Sequence, residues 1–149
     1  MQKKKRFKLK VAVHGILQKS TGEVFMIRRF NTGWADGEFS VPAGHLDGSE
    51  QVTSGMIREI KEETGVIVKP EDMEMIHVMH RADSDERIDF FFLVKNWQGE
   101  PYLAEPDKAD QALWVFPQKL PKNTVSYIDY FFEKFLAGEK YSEFGWNKI

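Results

Sequence analysis

The sequence predicts a single mixed α/β (α+β) domain. Its 149 residues are a usual length for one domain and are enough to bury a substantial core. Hydrophobic residues make up 42% of the chain and charged residues 30%, a balance typical of globular rather than disordered proteins. The predicted elements follow the order strands, helix, strands, helix, with no internal repeat, low-complexity tract or linker between them.

Strands are predicted first, on either side of a turn. Apolar and polar residues alternate over residues 7–13, which is the period-two pattern of a strand. The turn at residues 21–22 then leads to a hairpin partner at residues 23–29. Residues 31–38 form a loop, and the short apolar segment 39–41 follows it.

A helix is predicted after the next glycine-containing loop. Ser49 is a suitable N-cap, and we expect the helix to end near Thr64 with Gly65 as the stop. The remaining predicted elements are strands at residues 75–80, 89–95 and 114–116, a charged hairpin loop at 82–87, and an amphipathic helix at 127–136.

Charge and composition exclude several classes of protein. The net charge of −2 gives no general attraction for nucleic acid polymers or acidic membranes, and no apolar stretch approaches the roughly 20 residues needed to span a bilayer. Cysteine is absent, so any metal is held by oxygen or imidazole ligands, and the cytoplasm is the expected compartment. The basic run at residues 3–6 is interpreted as a solvated terminus and not a secretory signal, because Lys8 and Lys10 interrupt the apolar region that a signal needs.

Three acidic side chains crowd one face of the first predicted helix. At about 100° per residue, Glu59, Glu62 and Glu63 fall within an arc of roughly 100°. Like charges at this spacing repel, the end of the helix disfavours them, and Gly55 weakens the same helix. A divalent cation such as Mg²⁺ would offset these penalties. Without its context, such a cluster is more often a solvated acidic face paired with Lys or Arg.

The residues around the cluster match a longer pattern, Gly-x5-Glu-x7-Arg-Glu-U-x-Glu-Glu-x-Gly-U with U aliphatic, over residues 44–66. Every specified position is met, namely by Gly44, Glu50, Arg58, Glu59, Ile60, Glu62, Glu63, Gly65 and Val66. On this segment, called the box below, the chain resembles the Nudix hydrolases, in particular their MutT-like members. The resemblance implies an α/β/α sandwich around a mixed β-sheet. It also implies hydrolysis of the pyrophosphate linkage of a nucleoside diphosphate compound, with Mg²⁺ as cofactor and Mn²⁺ as a substitute.

The resemblance assigns metal-binding roles within the box. Glu59 and Glu63 match the principal metal ligands of the family, and Glu62 supplies a further ligand or orients water. The main-chain carbonyl of Ala43 is expected to complete the metal shell. Many relatives have Gly at this position, but either residue offers a backbone carbonyl.

Other box residues are expected to act by positioning. Arg58 matches a residue that pairs with a box carboxylate and holds its rotamer, with Glu50 closing the loop. Gly44 and Gly65 are the structural glycines at the two ends of the loop–helix–loop that the resemblance implies.

A carboxylate must accept the proton of the attacking water. The candidates are a box glutamate, either Glu62 or Glu63, or an acid on a later loop as in several relatives. Glu105 is favoured there over Asp107. An exposed loop acid preceding Pro106 is an equally good interpretation of Glu105.

Two regions are candidates for binding the substrate. Arg28 and Arg29 end a strand that faces the expected site, so one should bind phosphate while the other points away. The other candidates lie before the box or near the second helix, where nucleotide-cleaving relatives border the base: Trp34, Phe39, Asn123, Thr124 and Tyr127. Ordinary packing explains each of them alone, whereas together they predict a base pocket.

Comparison with subgroups of the family narrows the substrate. ADP-ribose hydrolases usually carry a Pro, and some dinucleoside polyphosphate hydrolases a Tyr, at the distance after the box that residues 81–84 occupy here. These four residues include neither. We therefore favour a nucleoside triphosphate, normal or oxidised, cleaved to a nucleoside monophosphate and pyrophosphate. The alternatives are a nucleotide-sugar pyrophosphatase and a non-catalytic Nudix-fold module that binds nucleotides. Such a module would be expected to lose box carboxylates.

The C-terminal segment 141–146 is too aromatic for a solvated end. We expect it to pack over the sheet or across a homodimer interface, since exposed apolar patches usually have partners. The alternative is that Phe144 or Trp146 closes one wall of the substrate pocket.

Overall fold

The computed structural model describes residues 2–148, which form two β-sheets, two α-helices and two short 3₁₀ turns. The strands are β1 (Lys10–Leu17), β2 (Val24–Arg29), β3 (Phe39–Ser40), β4 (Ala43–His45), β5 (Met73–Ala82), β6 (Glu86–Val94), β7 (Ala109–Val115) and β8 (Tyr141–Phe144). The helices are α1 (Val52–Thr64) and α2 (Ser126–Leu136). The predicted α+β class is confirmed. No helix among these residues is long and apolar enough to cross a membrane.

The larger sheet has the strand order β4–β1–β6–β5–β8, and the smaller sheet has the order β3–β2–β7. Strands β1 and β6 pair in parallel along their length, from Lys10 opposite Arg87 to Leu17 opposite Val94. A parallel pair requires a long crossover connection, and the chain between β1 and β6 supplies it. That crossover contains β4 and α1, so the box lies beside the centre of the larger sheet.

The two helices cover opposite faces of β1. Side chains alternate along a strand, so Val13 belongs to one core cluster and Ile16 to the other. Val13 shares its cluster with Met56 and Ile60 of α1, whereas Ile16 shares its cluster with Phe131 of α2. The sheets therefore lie between two helical layers, as the α/β/α arrangement requires.

Helix α1 begins later than predicted. Ser49 is not the N-cap: its φ is 52°, and the helix starts at Val52 after an extended Gln51. The predicted end is confirmed, because Gly65 has a left-handed φ of 77° and its N–H bonds to the carbonyl of Lys61. The box thus consists of a long loop and a helix that is shorter than expected.

Strand boundaries also differ from the prediction. β1 starts at Lys10, and Phe7, which belonged to the predicted alternation, is 71% exposed. Because β1 is an inner strand covered on both faces, its later residues are buried without alternation, which the period-two pattern does not detect. β7 begins at Ala109, well before the predicted residues 114–116.

The C-terminal segment extends the larger sheet at its edge and does not lie over its face. β8 pairs in parallel with β5, and Trp146 Nε1 donates to the carbonyl of His80 at 3.0 Å. Phe144 packs against Tyr130 of α2. Neither Phe144 nor Trp146 lines the cavities described below, so the pocket-wall alternative is wrong.

Candidate active site

Strand β4 and helix α1 meet at Gly44, where there is no room for a side chain. A Cβ atom on Gly44 would overlap the carboxylate of Glu59. A Cβ atom on Gly55, one turn earlier along α1, would lie 2.5 Å from Leu46 Cδ2. These two glycines therefore allow α1 to lie directly on the segment that precedes it, which places the acidic face of α1 against β4.

Arg58 connects the carboxylates of the box. Its Nε and Nη2 atoms donate to the two carboxylate oxygens of Glu50, at 3.2 and 2.8 Å. Nη1 donates to Glu59 at 2.8 Å, and Nη2 also reaches the carbonyl of His45 at 3.2 Å. These hydrogen bonds from Arg58, followed by one from the Asp47 N–H, lower the pKa of Glu50. The pairing of Arg58 with Glu50 that the sequence predicted is present, and it also holds the rotamer of Glu59.

Glu63 carries its carboxylate in a partly buried position at the end of α1. Its Oε2 atom accepts a hydrogen bond of 2.7 Å from the backbone N–H of Ala43. Burial raises the pKa of Glu63 well above its ordinary value, and the nearby carboxylates of Glu59 and Glu105 add to the effect against the Ala43 hydrogen bond. A positive charge placed here would stabilise the ionised form.

The other two box acids differ in their surroundings. Burial also raises the pKa of Glu59, although the hydrogen bond from Arg58 opposes it. The side chain of Glu62 is 48% exposed and contacts Arg58 at 3.4 Å. The structure therefore brings Glu59 and Glu63 together under β4, and it leaves Glu62 on the solvent side of the same helix.

An acidic cavity of about 220 Å³ lies next to Glu63. We define it by Glu63, Glu105, Ala43, Arg29 and Lys108, which line it together with smaller neighbours. The segment carrying Glu105 is attached to the end of α1, because the Ala104 N–H donates to the Glu63 carbonyl at 3.2 Å. Lys108 Nζ lies 3.6 Å from the Glu105 carboxylate. The loop acid favoured from the sequence thus faces the same space as the box glutamate.

These carboxylates fit a divalent cation. Across residues 2–148 no three acidic or histidine side chains converge closely enough to enclose an ion by themselves. Mg²⁺ is typically bound by one or two carboxylates with waters and substrate phosphates completing the shell, so the pair Glu59 and Glu63 meets its requirement. Glu59 is paired with Arg58 at 2.8 Å and Glu63 with the Ala43 N–H at 2.7 Å, yet burial still raises the pKa of both carboxylates, so an added cation would stabilise their ionised forms.

A second cavity, of about 340 Å³, adjoins the first. We call it the guanidinium cavity, after the three arginines Arg29, Arg81 and Arg87 that line it; its other lining residues are Ala12, His14, Trp34, Ala43, Gly44, His45, Ser84 and Tyr127. Ala43 and Arg29 line both cavities. The two spaces therefore meet at the residue that precedes the box glycine.

The two arginines at the end of β2 point in different directions, as the alternation predicts. Arg29 faces both cavities, and its Nε donates to the carbonyl of Trp34 at 2.8 Å while its guanidinium lies 4.9 Å from the Trp34 ring. Arg28 forms a two-point pair with Asp110 at 2.8 and 2.9 Å, away from both cavities. Of the pair, only Arg29 is in a position to bind phosphate.

The floor of the guanidinium cavity is a buried polar network. Tyr127 OH and His14 Nε2 are 2.9 Å apart, and burial lowers the pKa of His14 to about 4, which keeps its ring neutral. Arg81 Nε donates to Asp89 at 2.7 Å, and the Arg81 guanidinium lies 3.6 Å from the centre of the Tyr127 ring. Tyr127, predicted from the sequence, thus reaches the cavity as part of its floor.

Three further candidates lie outside the two cavities. Phe39 is 4% exposed and belongs to the core instead of bordering a base. Asn123 Nδ2 donates to the carbonyl of Gly37 at 2.8 Å, which fastens the loop that carries Trp34. Thr124 is buried and its hydroxyl donates to the carbonyl of Pro121 at 2.6 Å. Asn123 and Thr124 support the cavity wall without lining it.

The sequence interpretation missed His14, Arg81 and Arg87. Arg81 pairs with Asp89 across the β5–β6 hairpin, and Asp89 is fully buried before a run of three phenylalanines. Aligning the two strands as a hairpin would have placed this acid and this arginine close together in an apolar setting, which indicates a buried ion pair. His14 carries no such signal, because its partner Tyr127 is far away in the chain.

Comparison with family models gives one match over most of the chain. The model of the NUDIX domain matches residues 8–135, which include both sheets except β8, both cavities and nearly all of α2.

Curated proteins of known activity are also similar. The 8-oxo-dGTP diphosphatase of Escherichia coli (strain K12) is 29% identical over 99 residues, covering 66% of this chain and 74% of that protein. The ADP-ribose pyrophosphatase of Methanocaldococcus jannaschii is 35% identical over 115 residues, covering 75% of this chain and 64% of that protein. Among solved structures, the MutT NUDIX hydrolase of Burkholderia pseudomallei superimposes with a TM-score of 0.77 at 22% identity, covering 85% of this chain and 98% of that one.

Proposed function

Because the chain belongs to the Nudix family of hydrolases, we propose that it cleaves the diphosphate linkage of a nucleoside triphosphate in a Mg²⁺-dependent reaction. The products are a nucleoside monophosphate and pyrophosphate, and the base is a normal or an oxidised one. The observation that carries this proposal is the arrangement of carboxylates around β4: Glu63 and the loop acid Glu105 line the acidic cavity, and Glu59, held by Arg58, lies against Gly44.

Glu59, Glu63 and the carbonyl of Ala43 are the groups that would hold Mg²⁺, or Mn²⁺ in its place. When bound, the ion would polarise a phosphoryl oxygen and lower the pKa of a water molecule. The role of the protein is to keep these oxygens in place. Arg58 does so for Glu59 through its 2.8 Å hydrogen bond, and the Ala43 N–H does so for Glu63.

Two cations at the edge of the acidic cavity would bind the anionic substrate. Arg29 and Lys108 both line this cavity. The planar guanidinium of Arg29 suits two-point binding of a phosphate, and its position between the cavities suits the phosphate next to the scissile bond. Lys108 supplies a point charge on the opposite side, near Glu105.

Glu105 is the proposed proton acceptor. A bond forms between the water oxygen and a phosphorus atom of the α–β bridge, and the bond between that phosphorus and the bridging oxygen breaks. The bridging oxygen leaves with its phosphoryl group, and the water proton passes to the carboxylate of Glu105. Glu105 lines the same cavity as Glu63, which supports this role.

The comparisons support two substrate classes. The similarity to an 8-oxo-dGTP diphosphatase favours a nucleoside triphosphate. The similarity to an ADP-ribose pyrophosphatase favours a nucleotide sugar, which is the alternative. We prefer the triphosphate because residues 81–84 lack the proline expected there in ADP-ribose hydrolases.

The test is a substrate screen with product analysis. The protein is incubated with nucleoside triphosphates and nucleotide sugars, with Mg²⁺ or with EDTA, and products are separated by ion-exchange chromatography. We expect monophosphate and pyrophosphate from a triphosphate, only with Mg²⁺, and loss of both products in Glu63→Gln. Free monophosphate and sugar phosphate as the main products would favour the nucleotide-sugar alternative. No turnover of any compound would favour a binding module.

A further inference from the structure

The guanidinium cavity is rich in hydrogen-bond donors, since three arginines line it. Arg29, Arg81, Arg87, His45 and Ser84 all line it. No aspartate or glutamate is among its lining residues within the part of the chain that the structure describes. The acids that pair with Arg81 and Arg87, namely Asp83, Asp85 and Asp89, are not among the lining residues, so an occupant of the cavity meets arginine N–H groups.

Arg87 keeps donors available for such an occupant. An arginine has five N–H groups, and Arg87 directs its Nε and one Nη2 hydrogen at Asp85. Its Nη1 atom lies 3.3 Å from His45 Nε2. These contacts use three of the five donors, which leaves one on each terminal nitrogen. The side chain is only 14% exposed, so the fork is held in place.

Arg81 has a structural role, unlike Arg87. It is 3% exposed and pairs with Asp89 through Nε and Nη2, at 2.7 and 3.3 Å, and with Asp83 through Nη1 at 2.8 Å. Removing it would leave the buried carboxylate of Asp89 unpaired. Arg81 is therefore part of the framework, and Arg87 is the arginine that can be altered without exposing a buried charge.

The aromatic side chain of Trp34 borders the cavity. Trp34 is 46% exposed and its ring centre lies 6.4 Å from that of Tyr127. Exposed aromatic faces next to a polar cavity bind bases by stacking, whatever the base. A nucleobase placed here would be joined through its sugar to phosphates beside Ala43, because Ala43 lines both cavities.

We propose that the guanidinium cavity selects nucleobases with an oxo edge over the corresponding bases with an amino edge, and that Arg87 is the residue that determines this selection. The inference rests on the proposed function for the position of the diphosphate. An arginine fork donates to the N7 and O6 atoms of an oxo purine, a pairing that is worth roughly 5- to 150-fold in discrimination. An amino group at the same position would point a donor at donors and leave both unpaired.

The experiment measures binding, so it does not depend on turnover. Dissociation constants are determined by calorimetry, with Mg²⁺ present, for two pairs of products that differ between oxo and amino edges: IMP against AMP, and UMP against CMP. We expect the oxo member of each pair to bind about tenfold more tightly to the wild-type protein. Arg87→Gln should bring both ratios close to one, and Arg87→Lys, which retains the charge without the fork, should also reduce them.

Arg28→Gln is the matched control. Arg28 forms the same kind of two-point pair, with Asp110, but it points away from both cavities. This variant should keep the wild-type ratios. Circular dichroism melting of all three variants shows whether a change in ratio comes from loss of folding.

Equal affinities within each pair, or no binding at millimolar concentrations, would overturn the inference. A ratio that survives in Arg87→Gln would also overturn it, because another residue would then read the base. If Arg87→Gln weakens the binding of inorganic pyrophosphate but no base preference exists, the cavity is an anion site and the inference is wrong. Turnover without base preference contradicts only this inference, whereas base preference without turnover contradicts only the proposed reaction.

Discussion

The Oε2 atom of Glu63 accepts a hydrogen bond of 2.7 Å from the backbone N–H of Ala43, and this bond fastens the last turn of α1 to β4. Glu63 is thereby held beside Ala43, whose carbonyl is the third proposed metal ligand. The Glu63 side chain of α1 and the Ala43 main chain of β4 thus lie next to each other at the proposed metal site. The hydrolytic role of this position is open to direct tests.

Glu63→Gln and Glu59→Gln should each lower kcat by about 100-fold or more, because the amide cannot balance a divalent cation. Burial raises the pKa of both carboxylates, so removing the charge should leave the melting temperature unchanged or higher. The kcat is measured by steady-state kinetics with Mg²⁺ present, and the melting temperature is measured separately in EDTA. Glu71→Gln, in an exposed turn, is the control, and near-normal kcat in both site variants would refute the metal assignment.

Gly44→Ala should impair the site and not the fold. The new Cβ atom would overlap the carboxylate of Glu59, which must then rotate away from β4. We expect kcat to fall at least about tenfold and the dependence on Mg²⁺ to move to higher concentrations. Gly99→Ala is the comparison, because Gly99 has a positive φ of 94° but no neighbour within 4 Å of an added Cβ. That variant should lose stability by about 1 kcal/mol and retain kcat, and the prediction fails if the two variants behave alike.

Arg58→Lys should destabilise the protein by about 1–3 kcal/mol, because a lysine cannot supply the fork that bonds both oxygens of Glu50 and reaches Glu59. Urea denaturation gives the free energy of unfolding. Arg28→Lys alters a more exposed fork and should cost less than Arg58→Lys, because solvent screens the pair with Asp110. A larger loss in Arg28→Lys than in Arg58→Lys would contradict the central position given to Arg58.

His77 should make the protein less stable in mild acid. Its ring nitrogens lie 2.7 Å from Ser142 Oγ and 2.8 Å from the Glu139 carbonyl, and burial lowers its pKa. Glu139 raises that pKa and Lys134 lowers it, but burial has the largest effect. The unfolded chain therefore takes up a proton at a higher pH than the folded protein does. The free energy of unfolding should decrease as the pH falls below the ordinary histidine value of 6.5.

Urea denaturation at a series of pH values measures this effect in the wild type and in His77→Gln. The decrease in the free energy of unfolding below pH 6.5 should be smaller in the variant, because the side chain at position 77 can no longer take up a proton. The protection factors of the β8 amides, which correct for the intrinsic exchange rate at each pH, should fall in wild type over the same range because His77 binds that strand. Parallel pH profiles for the two proteins would show that His77 does not contribute.

Residues that act within one helical turn were predictable from the sequence. Glu59, Glu62 and Glu63 follow from helical spacing, and Arg58 from the motif around them. Their unequal burial was not predictable, since it depends on β4 packing beside Gly44. The left-handed stop at Gly65 was predictable because glycine adopts that conformation at little cost.

The guanidinium cavity was not predictable because its walls come from distant segments. His14 and Arg87 face the same space only because β1 and β6 pair in parallel. The edge strand β8 is four residues long, too short for a pattern to identify. The exposure of Trp34 and Phe39 was also not predictable: the two aromatic residues are close in the sequence, but Trp34 is exposed and Phe39 is buried.

The carboxylates of the acidic cavity lie on α1 and on the loop after β6, whereas Arg81 and Arg87 lie on the β5–β6 hairpin. The residues proposed for chemistry and those proposed for base recognition thus lie mainly on separate segments of the chain, and the two cavities meet at Ala43 and Arg29. Engineers seeking a different preference should therefore randomise the hairpin tip and its neighbours while leaving the helix untouched. Such libraries would be expected to retain hydrolysis in most members and to diverge in what they hydrolyse.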